Sequence, residues 1–575
     1  MMDLPIDRHD TDVLIVGGGA AGTMAAFEAA DAGVEVIQVT KARATNGAVT
    51  VARGGFAAAL GDGDSPEKHL ADILEHGGEL IDPELTRVWV HDIVDVVRDL
   101  EEWGAGFVRN EDGELDLKMF PNHSHPRAVH YHDQTGNRIT KVLSRRLRSD
   151  SRIGQHSQTA VMDLLSVDGR VVGAWGVDYS RGRLVVYAAR EVILCTGGGS
   201  GLYYVNDNPP QVTGDGYVLG FRAGAPLVGL EMIDFQAMCC SPEELFGFAP
   251  HPTGFINAGA VFRNQEGEPF LRRYFPETAE KSTRSEVILA MAKEIHSGRA
   301  GKTGGIFMDA TGVPLDVIME QIPHVHKICL SRGVDITQTP LEVAPGSHTW
   351  LGGLKIDTRG HTPVPGLWAA GETAGGIHGG NRIGGSAISS ALVFGRRAGR
   401  AASTEAKEGS PPVQAADLAI PPEESAWIAD LLGRSDGVPQ SEVRLHCRMV
   451  AHDQLGPLRD GPGLADALSE FERIEEDDLP RMRLGSEAAA SPRARGQELE
   501  SALSVRNLAL LGRLVATVAL DREESRGAHF RLDFPHTDEA GWRAVTLLTR
   551  GPDGRLLVSR EPVADSMSPP REEQP

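Results

Sequence analysis

The sequence predicts an α/β fold that begins with a Rossmann-like nucleotide-binding unit. Residues 12–16 form a short apolar run, which is typical of a buried parallel strand, and a glycine-rich turn follows at residues 17–22. The alanine-rich segment 23–31 then predicts a helix, and the apolar segment 34–39 predicts a second strand. Because these elements stand in the order of a βαβ unit, the chain should contain a parallel sheet with helices packed on it.

The turn between the first strand and its helix has the glycine spacing that a dinucleotide requires. Gly17 permits the sharp exit from the strand, Gly19 lets the backbone approach a pyrophosphate, and Gly22 allows the helix to pack closely on the strand. At the helix start, Ala20 and Ala21 place free N–H groups and the positive end of the helix dipole at the phosphates. A strand-turn-helix without a ligand shows the same pattern, but the order of elements favours a dinucleotide cofactor and a redox enzyme.

Composition narrows the class of protein. The 575 residues are enough for two or three domains, and a formal net charge of -23 disfavours a nucleic-acid partner or an anionic membrane surface. The five cysteines include no C-x-x-C pair, so no zinc or iron–sulfur site is expected. We also find no secretory signal and no apolar run as long as a membrane span, and we therefore expect a cytoplasmic protein without a metal ion.

Changes of pattern along the chain predict its domains. A glycine-rich βα pattern occupies the first part of the chain. It recurs after a segment with a different sequence pattern, which indicates an insertion. A polar, proline-containing linker precedes helical patterns, and a last hairpin turns at Asp553-Gly554. The predicted boundaries are a nucleotide-binding domain of residues 1–228 and 350–405, an insertion of residues 229–349, a linker of residues 406–440, a helical domain of residues 441–563 that includes the hairpin, and a disordered tail of residues 564–575.

Several separated motifs agree with one family. Besides the first glycine-rich turn, they include Ala52-Arg53-Gly54-Gly55, Thr196-Gly197-Gly198-Gly199, Thr213-Gly214-Asp215-Gly216, residues 379–385 and Glu524-Ser525-Arg526-Gly527-Ala528-His529. In these motifs and in their order, the chain resembles the flavoprotein subunits of fumarate reductase and succinate dehydrogenase, together with L-aspartate oxidase. The resemblance implies an FAD-binding domain that is interrupted by a mobile α+β capping domain and followed by a helical domain.

The resemblance also implies FAD as the cofactor and assigns residues to it. Thr40 and Lys41 stand where family members carry Ser-Lys, which accounts for the absence of the usual ribose-binding acid after the second strand. Ala48 stands where respiratory members carry a histidine bonded covalently to the flavin, so we expect non-covalent FAD. The FAD-binding residues expected from the turn and from the resemblance are Gly17, Gly19, Ala20, Ala21, Gly22, Thr40, Lys41, Gly54, Gly55, Asp215, Glu372, Ala387 and Ile388.

The family moves a hydride between the flavin and a carbon of a small dicarboxylate while a proton moves on the opposite face. Carried over by position, Arg284 is the proton-transferring residue, although Ser285 replaces the aspartate that usually follows and Glu286 lies one step further. His348 and Arg382 match substrate-binding residues, and the planar fork of the guanidinium suits a carboxylate. The alternative is a structural role for each, as a surface arginine in an ion pair or a core histidine.

The inserted segment departs from the family pattern at the substrate. Counting from Glu231-Met232 places Met238 where a substrate histidine belongs, and His251 either restores that motif after an insertion or is coincidental. With the spacing preserved, Thr253 falls near a family threonine that contacts a carboxylate, and both alignments stay open. Phe120 occupies the place of the glutamate that recognises the amine in aspartate oxidase, so ordinary L-aspartate oxidation is disfavoured.

Together these observations predict a soluble FAD-dependent oxidoreductase that acts on a small carboxylate-bearing substrate, as a specialised variant of the family. The alternatives are an ordinary fumarate reductase or L-aspartate oxidase, a respiratory flavoprotein subunit that docks an iron–sulfur partner, and a flavin-binding regulatory protein without turnover. The electron acceptor stays open among oxygen, a quinone and a reductase. Four histidines near Phe120 are expected to be structural or substrate-lining rather than metal ligands: His123, His125, His130 and His132.

Overall fold

The structure is a computed structural model that describes residues 4–250 and 252–563. The predicted disordered tail therefore lies outside the described residues. The elements of the first part are β1 (Ile6–Val16), α1 (Ala20–Ala32), β2 (Val36–Thr40), β3 (Phe56–Ala57), α2 (Pro66–His76), α3 (Pro83–Glu102), β4 (Ala128–Val129), α4 (Thr135–Ser149), β5 (Ile153–Ser157), β6 (Thr159–Val167), β7 (Arg170–Asp178), β8 (Arg183–Leu194), α5 (Asp215–Arg222) and β9 (Leu227–Val228).

The largest sheet has the predicted βαβ unit at its centre. Its strand order is β5-β2-β1-β8-β7-β6, in which β1, β2, β5 and β8 pair in parallel, while β7 pairs antiparallel with both of its neighbours, β8 and β6. Helix α1 begins at Ala20, earlier than the predicted residue 23, because the glycine turn itself supplies its first turn. Strand β8 ends at Leu194 and pairs in parallel with β1 between Leu184 and Leu194.

The inserted segment forms a small α+β domain with its own antiparallel sheet of order β10-β13-β12-β11. Its first and last strands are neighbours, so the chain enters and leaves the insertion at the same side of the sheet. The elements are β10 (Ile233–Cys240), α6 (Pro252–Ala258), β11 (Val261–Arg263), α7 (Leu271–Tyr274), α8 (Arg284–His296), β12 (Ile306–Asp309), α9 (Leu315–Gln321), α10 (Pro323–Ser331) and β13 (Leu341–Trp350).

After the insertion the chain returns to the first domain through β14 (Gly353–Leu354), β15 (Leu367–Ala369) and α11 (Ser386–Glu408). Strand β15 joins the main sheet parallel to β8. Helix α11 packs closely on α1 through two glycines: a Cβ at Gly395 or Gly399 would lie 2.3 Å or 2.5 Å from a backbone oxygen of α1. This contact brings the N-termini of α1 and α11 to the same side of the sheet.

The C-terminal part is mainly helical, and it contains a helix inside the segment predicted to be a linker. That helix starts with a proline at its first position and places Glu424 where it accepts two hydrogen bonds from Arg506, at 2.9 and 2.8 Å. This contact is tertiary, which is why the local pattern did not indicate it. The elements are α12 (Pro422–Gly433), β16 (Val438–Pro439), α13 (Gln440–Gln454), α14 (Gly461–Arg473), β17 (Met482–Arg483), α15 (Pro492–Asp521), α16 (Glu539–Trp542), β18 (Ala544–Arg550) and β19 (Leu556–Pro562).

Helix α15 is the one helix among the described residues that is long and apolar enough, by length and composition, to cross a membrane. Its 30 residues contain an 18-residue window of mean hydropathy 1.5, and 72% of that window is buried inside the protein. By length and composition alone the helix could span a bilayer, whereas its burial is that of a core helix.

The predicted hairpin joins the C-terminal part to the first domain. Strand β18 pairs with β9 on one side and with β19 on the other, and the turn contains Gly554 at φ 83°. Beneath it, Arg522 donates to Glu231 Oε1 at 2.7 Å, and Thr546 donates to the same oxygen at 2.8 Å. Arg522 and Glu231 are fully buried, and Arg522 also donates to Glu524, so loss of Arg522 would leave two buried carboxylates without the guanidinium that they share.

Candidate active site

A cavity of about 1430 Å³ extends from the glycine-rich turns of the first domain to the inserted domain. Its wall includes the start of α1, the start of α11 and residues of β10, α6 and α8. The cavity therefore lies where the carboxyl ends of parallel strands and two helix N-termini meet, which is the usual position of a nucleotide in such sheets.

The first glycine turn lies at one end of this cavity. Gly17 has φ 120°, and a Cβ there would lie 2.0 Å from the backbone oxygen of Cys195. A Cβ at Gly22 would lie 2.1 Å from the Gly17 oxygen, so helix and strand touch through their backbones. Gly19 lines the cavity and has no atom within 4 Å of the place of a Cβ, which leaves room for a ligand against its backbone.

Lys41 and Asp215 form a buried ion pair at the same end, and Thr40 lines the cavity beside them. Lys41 Nζ lies 2.8 Å from Asp215 Oδ2 and 3.2 Å from Glu500 Oε1. Burial alone would lower the pKa of Lys41, but these two carboxylates raise it above its usual value. Asn507 donates to Asp215 Oδ1 at 2.9 Å, so helix α15 supports the pair from the C-terminal domain.

Glu372 is a buried acid that lines the cavity. Burial raises the pKa of its carboxyl to about 7, although the backbone N–H of Trp350 donates to Oε1 at 2.8 Å. Gly54 and Gly55 line the cavity as well, as do Ala387 and Ile388 in the first turn of α11.

These features fit FAD. The open side of Gly19 and the start of α1 offer N–H groups to a pyrophosphate. At the start of α11, the buried hydroxyl of Ser386 has no hydrogen-bond partner among the described residues, and its neighbours Gly385 and Ala387 line the cavity. The cavity is also long enough to join the nucleotide end, at Lys41, to the wall that contains Glu372.

The other end of the cavity holds a group of charged side chains, which we call the clamp cluster: Arg284, Arg382, His348, Asp234 and Asp207. Arg284 Nη2 donates to Asp234 Oδ2 at 2.7 Å, and Arg382 Nη2 donates to the same oxygen at 3.3 Å. His348 Nδ1 lies 2.7 Å from Asp207 Oδ2. Arg284, Arg382 and His348 all line the cavity, so the structure brings the three predicted substrate residues together.

Charges within the cluster shift the pKa values of its members. Burial would raise the pKa of Asp234, but Arg284, Arg382 and His348 lower it below its usual value. Burial would lower the pKa of His348, but Asp207 raises it, with a smaller contribution from Asp234. Asp234 therefore stays ionised, and His348 holds a proton more readily than an ordinary histidine.

Asp234 and Asp207 are members of the cluster that the sequence alone did not identify. The sequence left Glu286 as the acid nearest to Arg284, but Glu286 closes a capping box with Thr283 and accepts from its backbone N–H at 2.8 Å. The carboxylate that accepts a hydrogen bond from Arg284 is instead that of Asp234 on β10, fifty residues earlier in the chain. No local signal marks Asp234, because its contact depends on how β10 packs against α8 within the inserted domain.

The structure of the inserted segment bears on its two possible alignments with the family motif that contains the substrate histidine. Met238 is fully buried within β10 and is not one of the residues of the cavity wall, whereas Thr253, in the first turn of α6, lines the cavity. His251 lies outside the described residues. Met238 therefore does not take the place of a substrate histidine in this structure.

Phe120 lines the cavity, and its ring packs against Gly384 and Gly385 in the turn before α11. Behind it, His123 Nε2 lies 2.9 Å from the Gly384 carbonyl oxygen while Arg127 donates to Nδ1 at 3.2 Å. The predicted histidine cluster is dispersed: His125 lies beside Ser124, and His130 pairs with Asp116. Among the described residues, no group of His, Cys, Asp and Glu could hold a metal ion.

The C-terminal motif supports the loop that carries Arg382. The backbone N–H of Ala528 donates to the Gly380 oxygen at 2.7 Å, and Gly527 lines the cavity. A Cβ at Gly527 would lie 1.9 Å from the same oxygen, so the motif requires glycine at this position. From the sequence alone, this motif supports the family resemblance but has no predicted role.

Fold and cavity define an FAD-dependent oxidoreductase, and comparison with known proteins places it in a family. A family model for the FAD binding domain matches residues 12–388, and one for the fumarate reductase flavoprotein C-terminal domain matches residues 444–574. The chain belongs to the fumarate reductase flavoprotein and L-aspartate oxidase family. Its predicted membership, fold class and FAD cofactor are thereby confirmed.

Relatives of both activities are similar over nearly the whole chain. The fumarate reductase (CoM/CoB) of Methanothermobacter marburgensis has a subunit that is 34% identical over 95% of this chain and 98% of the relative. L-aspartate oxidase of Caulobacter vibrioides is also 34% identical, over 95% and 98%. Among solved structures, Mycobacterium smegmatis Sdh1 in complex with UQ1 matches with a TM-score of 0.87 at 29% identity, covering 97% of this chain and 95% of that chain. A variant of E. coli quinol fumarate reductase FrdA matches with a TM-score of 0.88 at 26% identity, covering 98% of both chains.

Proposed function

We propose that this flavoprotein moves a hydride between non-covalently bound FAD and a small carboxylate-bearing substrate, as a specialised member of its family. One observation carries the proposal: Arg284, Arg382 and His348 line the same cavity as the glycine turn and Glu372. The arrangement supports binding of an anionic substrate beside the flavin.

The cofactor residues divide between the nucleotide and the flavin. We assign the pyrophosphate to the N-terminus of α1 and the nucleotide end to the Lys41–Asp215 pair, whose charges are balanced inside the protein. FAD, when bound, supplies the hydride acceptor or donor. The residues proposed to contact it are Gly17, Gly19, Ala20, Ala21, Gly22, Thr40, Lys41, Gly54, Gly55, Asp215, Glu372, Ala387 and Ile388.

At the substrate, Arg382 is proposed to hold a carboxylate with its fork. Its Nε is buried and has no hydrogen-bond partner among the described residues, so it is free for a ligand oxygen. His348, protonated beside Asp207, would donate its other ring N–H to the substrate, and Thr253 would donate from the inserted domain. Arg284 is proposed to deliver the proton, with Asp234 holding its guanidinium in place.

Two further features belong to this proposal. Ala48 lines the cavity and cannot form a covalent bond to the flavin, which supports a dissociable cofactor. The five cysteines are unpaired and buried, which supports a reducing compartment such as the cytoplasm. The electron acceptor is proposed to be oxygen, a quinone or a reductase.

An anaerobic assay of the holoenzyme tests the proposal. Fumarate, crotonate and related unsaturated acids are offered with reduced viologen, and succinate, butyrate and L-aspartate are offered as reductants of the flavin. Turnover or flavin reduction with at least one acid, abolished in Arg382→Ala, would support the proposal. Failure of every acid while FAD stays bound would contradict it and favour a regulatory flavoprotein.

An ordinary fumarate reductase remains the second candidate, since a relative of that name is similar over 95% of this chain. L-aspartate oxidase is disfavoured because Phe120 presents an aromatic ring to the cavity where an amine would need a carboxylate. The assay separates these candidates directly, because each is defined by its preferred acid.

A further inference from the structure

A second group of polar side chains lines the same cavity, and the proposed mechanism does not use it. We call this group the amide cluster: His76 at the end of α2, Asn122 in the loop before β4, and Asn381 in the turn before α11. Asn122 Nδ2 lies 3.1 Å from His76 Nε2, and Asn381 Nδ2 lies 3.0 Å from the same atom. Because Asn381 directly precedes Arg382 in the chain, the amide cluster lies beside the clamp cluster.

The imidazole at the centre of the amide cluster is neutral at pH 7. Burial lowers the pKa of His76 below its usual value, and the positive charge of Arg284 lowers it further, against a smaller opposing effect of Glu75. A neutral imidazole presents either one lone pair or one N–H at Nε2. Only one of the two asparagines can therefore complete a hydrogen bond with this atom.

The other asparagine keeps an amide group for a ligand. Neither Asn122 nor Asn381 has another side-chain hydrogen bond in the part of the chain that the structure describes. In one tautomer His76 accepts from one amide N–H, and in the other it donates to one amide oxygen. In both cases the second amide has no full partner inside the cluster, and it lines the cavity.

The backbone of Asn122 is consistent with a role for its side chain. Its φ of 65° lies in the left-handed region, which glycine adopts freely and which asparagine tolerates better than most other residues. The chain thus carries an amide at a position where its backbone conformation favours glycine. Backbone conformations of this kind are frequent at ligand sites.

We propose that the amide cluster is a specificity subsite for a hydroxyl group of the acid whose carboxylate Arg382 holds. A hydroxyl both donates and accepts, so it pairs with the remaining amide in either orientation. A plain carbon chain would cover that amide and leave it without a partner. This inference rests on the proposed function, because it concerns the same substrate, and it goes further by naming hydroxy acids as the preferred class.

Matched four-carbon acids test the inference. Butyrate and its 2-, 3- and 4-hydroxy derivatives differ only in the presence and position of the hydroxyl, and succinate carries a second carboxylate instead. Dissociation constants are measured at pH 7 from the flavin absorbance of the holoenzyme. We expect wild-type protein to bind at least one hydroxybutyrate about tenfold more tightly than butyrate, because the remaining amide gains a partner.

Asn122→Gly removes one amide and suits the left-handed backbone, so the variant should fold. His76 then pairs with Asn381 alone, and no amide is left for a ligand. The preference for the hydroxybutyrate over butyrate should therefore fall by about tenfold, to near equality. Asn110→Gly makes the same change in an exposed turn outside the described cavity wall and should leave the ratio unchanged.

Each outcome decides between the two claims. Equal binding of butyrate and every hydroxybutyrate by the wild type would overturn the inference and leave the proposed function standing. An unchanged ratio in Asn122→Gly would also overturn it, because another polar group of the wall, such as Ser285 or Gln236, would then hold the hydroxyl. An equal loss for succinate would overturn it in favour of a carboxylate subsite. No response of the bound FAD to any carboxylic acid would overturn both claims.

Discussion

One oxygen of Asp234 joins Arg284 of the inserted domain to Arg382 of the FAD-binding domain, at 2.7 and 3.3 Å. The two arginines come from different domains and are held at a fixed separation by a residue of a third element, β10. Assembly of the substrate site therefore requires the inserted domain to be seated on the FAD-binding domain. Removal of Asp234 should affect both arginines at once.

Arg382→Ala should lower kcat/KM for any accepted acid by about a hundredfold, because the fork that holds the carboxylate is lost. The FAD content per chain should stay unchanged, since Arg382 is not among the residues proposed to bind the nucleotide. Steady-state kinetics and the flavin absorbance of the purified variant measure the two quantities. Arg98→Ala, at an exposed pair on α3, is the control; unchanged turnover in Arg382→Ala would remove the proposed clamp.

Asp207→Asn should shift the pH dependence of kcat/KM. Asp207 raises the pKa of His348, and the protonated form is the donor, so activity is present below that pKa and falls as pH rises through it. Without Asp207 this fall should move to lower pH, because the raised pKa of His348 comes chiefly from that carboxylate. A pH profile of kcat/KM checks the shift, and an alkaline limb that stays in place would argue against His348 as the donor.

Asp215→Asn should weaken FAD binding about tenfold, because Lys41 loses its closest counter-ion at the nucleotide end. Fluorescence titration of the apoprotein with FAD measures the affinity. Asp316→Asn serves as the control, since its carboxylate lies at the exposed start of α9. Equal FAD affinity in the wild type and Asp215→Asn would show that the pair is only structural.

Acid precipitation of the holoenzyme should release the flavin into the supernatant, because Ala48 offers no atom for a covalent bond. Absorbance of the supernatant and in-gel fluorescence of the denatured chain measure free and bound flavin. Colour that stays with the protein pellet would refute a dissociable cofactor.

Local patterns were sufficient to predict the glycine turn at one end of the cavity, whereas Lys41, Asp215 and Glu372 came from the family resemblance. Gly17, Gly19 and Gly22 act within one turn, so their spacing carries the geometry. The family resemblance added Arg284, His348 and Arg382, which the structure places on one cavity wall.

Contacts between residues that are far apart in the sequence could not be predicted from local sequence patterns. Asp234 meets Arg284 across fifty residues, and Glu500 and Asn507 reach the Lys41–Asp215 pair from a helix of the C-terminal domain. Such contacts depend on how whole domains are seated, so neither periodicity nor spacing reports them. Helix α12 is a similar case, because its ion pair to α15 is formed only in the folded chain.

The most direct test of the central claim is the visible spectrum of the purified protein, recorded before and after anaerobic addition of a carboxylic acid. We predict one FAD per chain, with flavin bands that shift or bleach when an accepted acid binds and that do not respond in Arg382→Ala. Protein that is colourless and stays so after incubation with FAD, or whose flavin ignores every acid, would contradict the account.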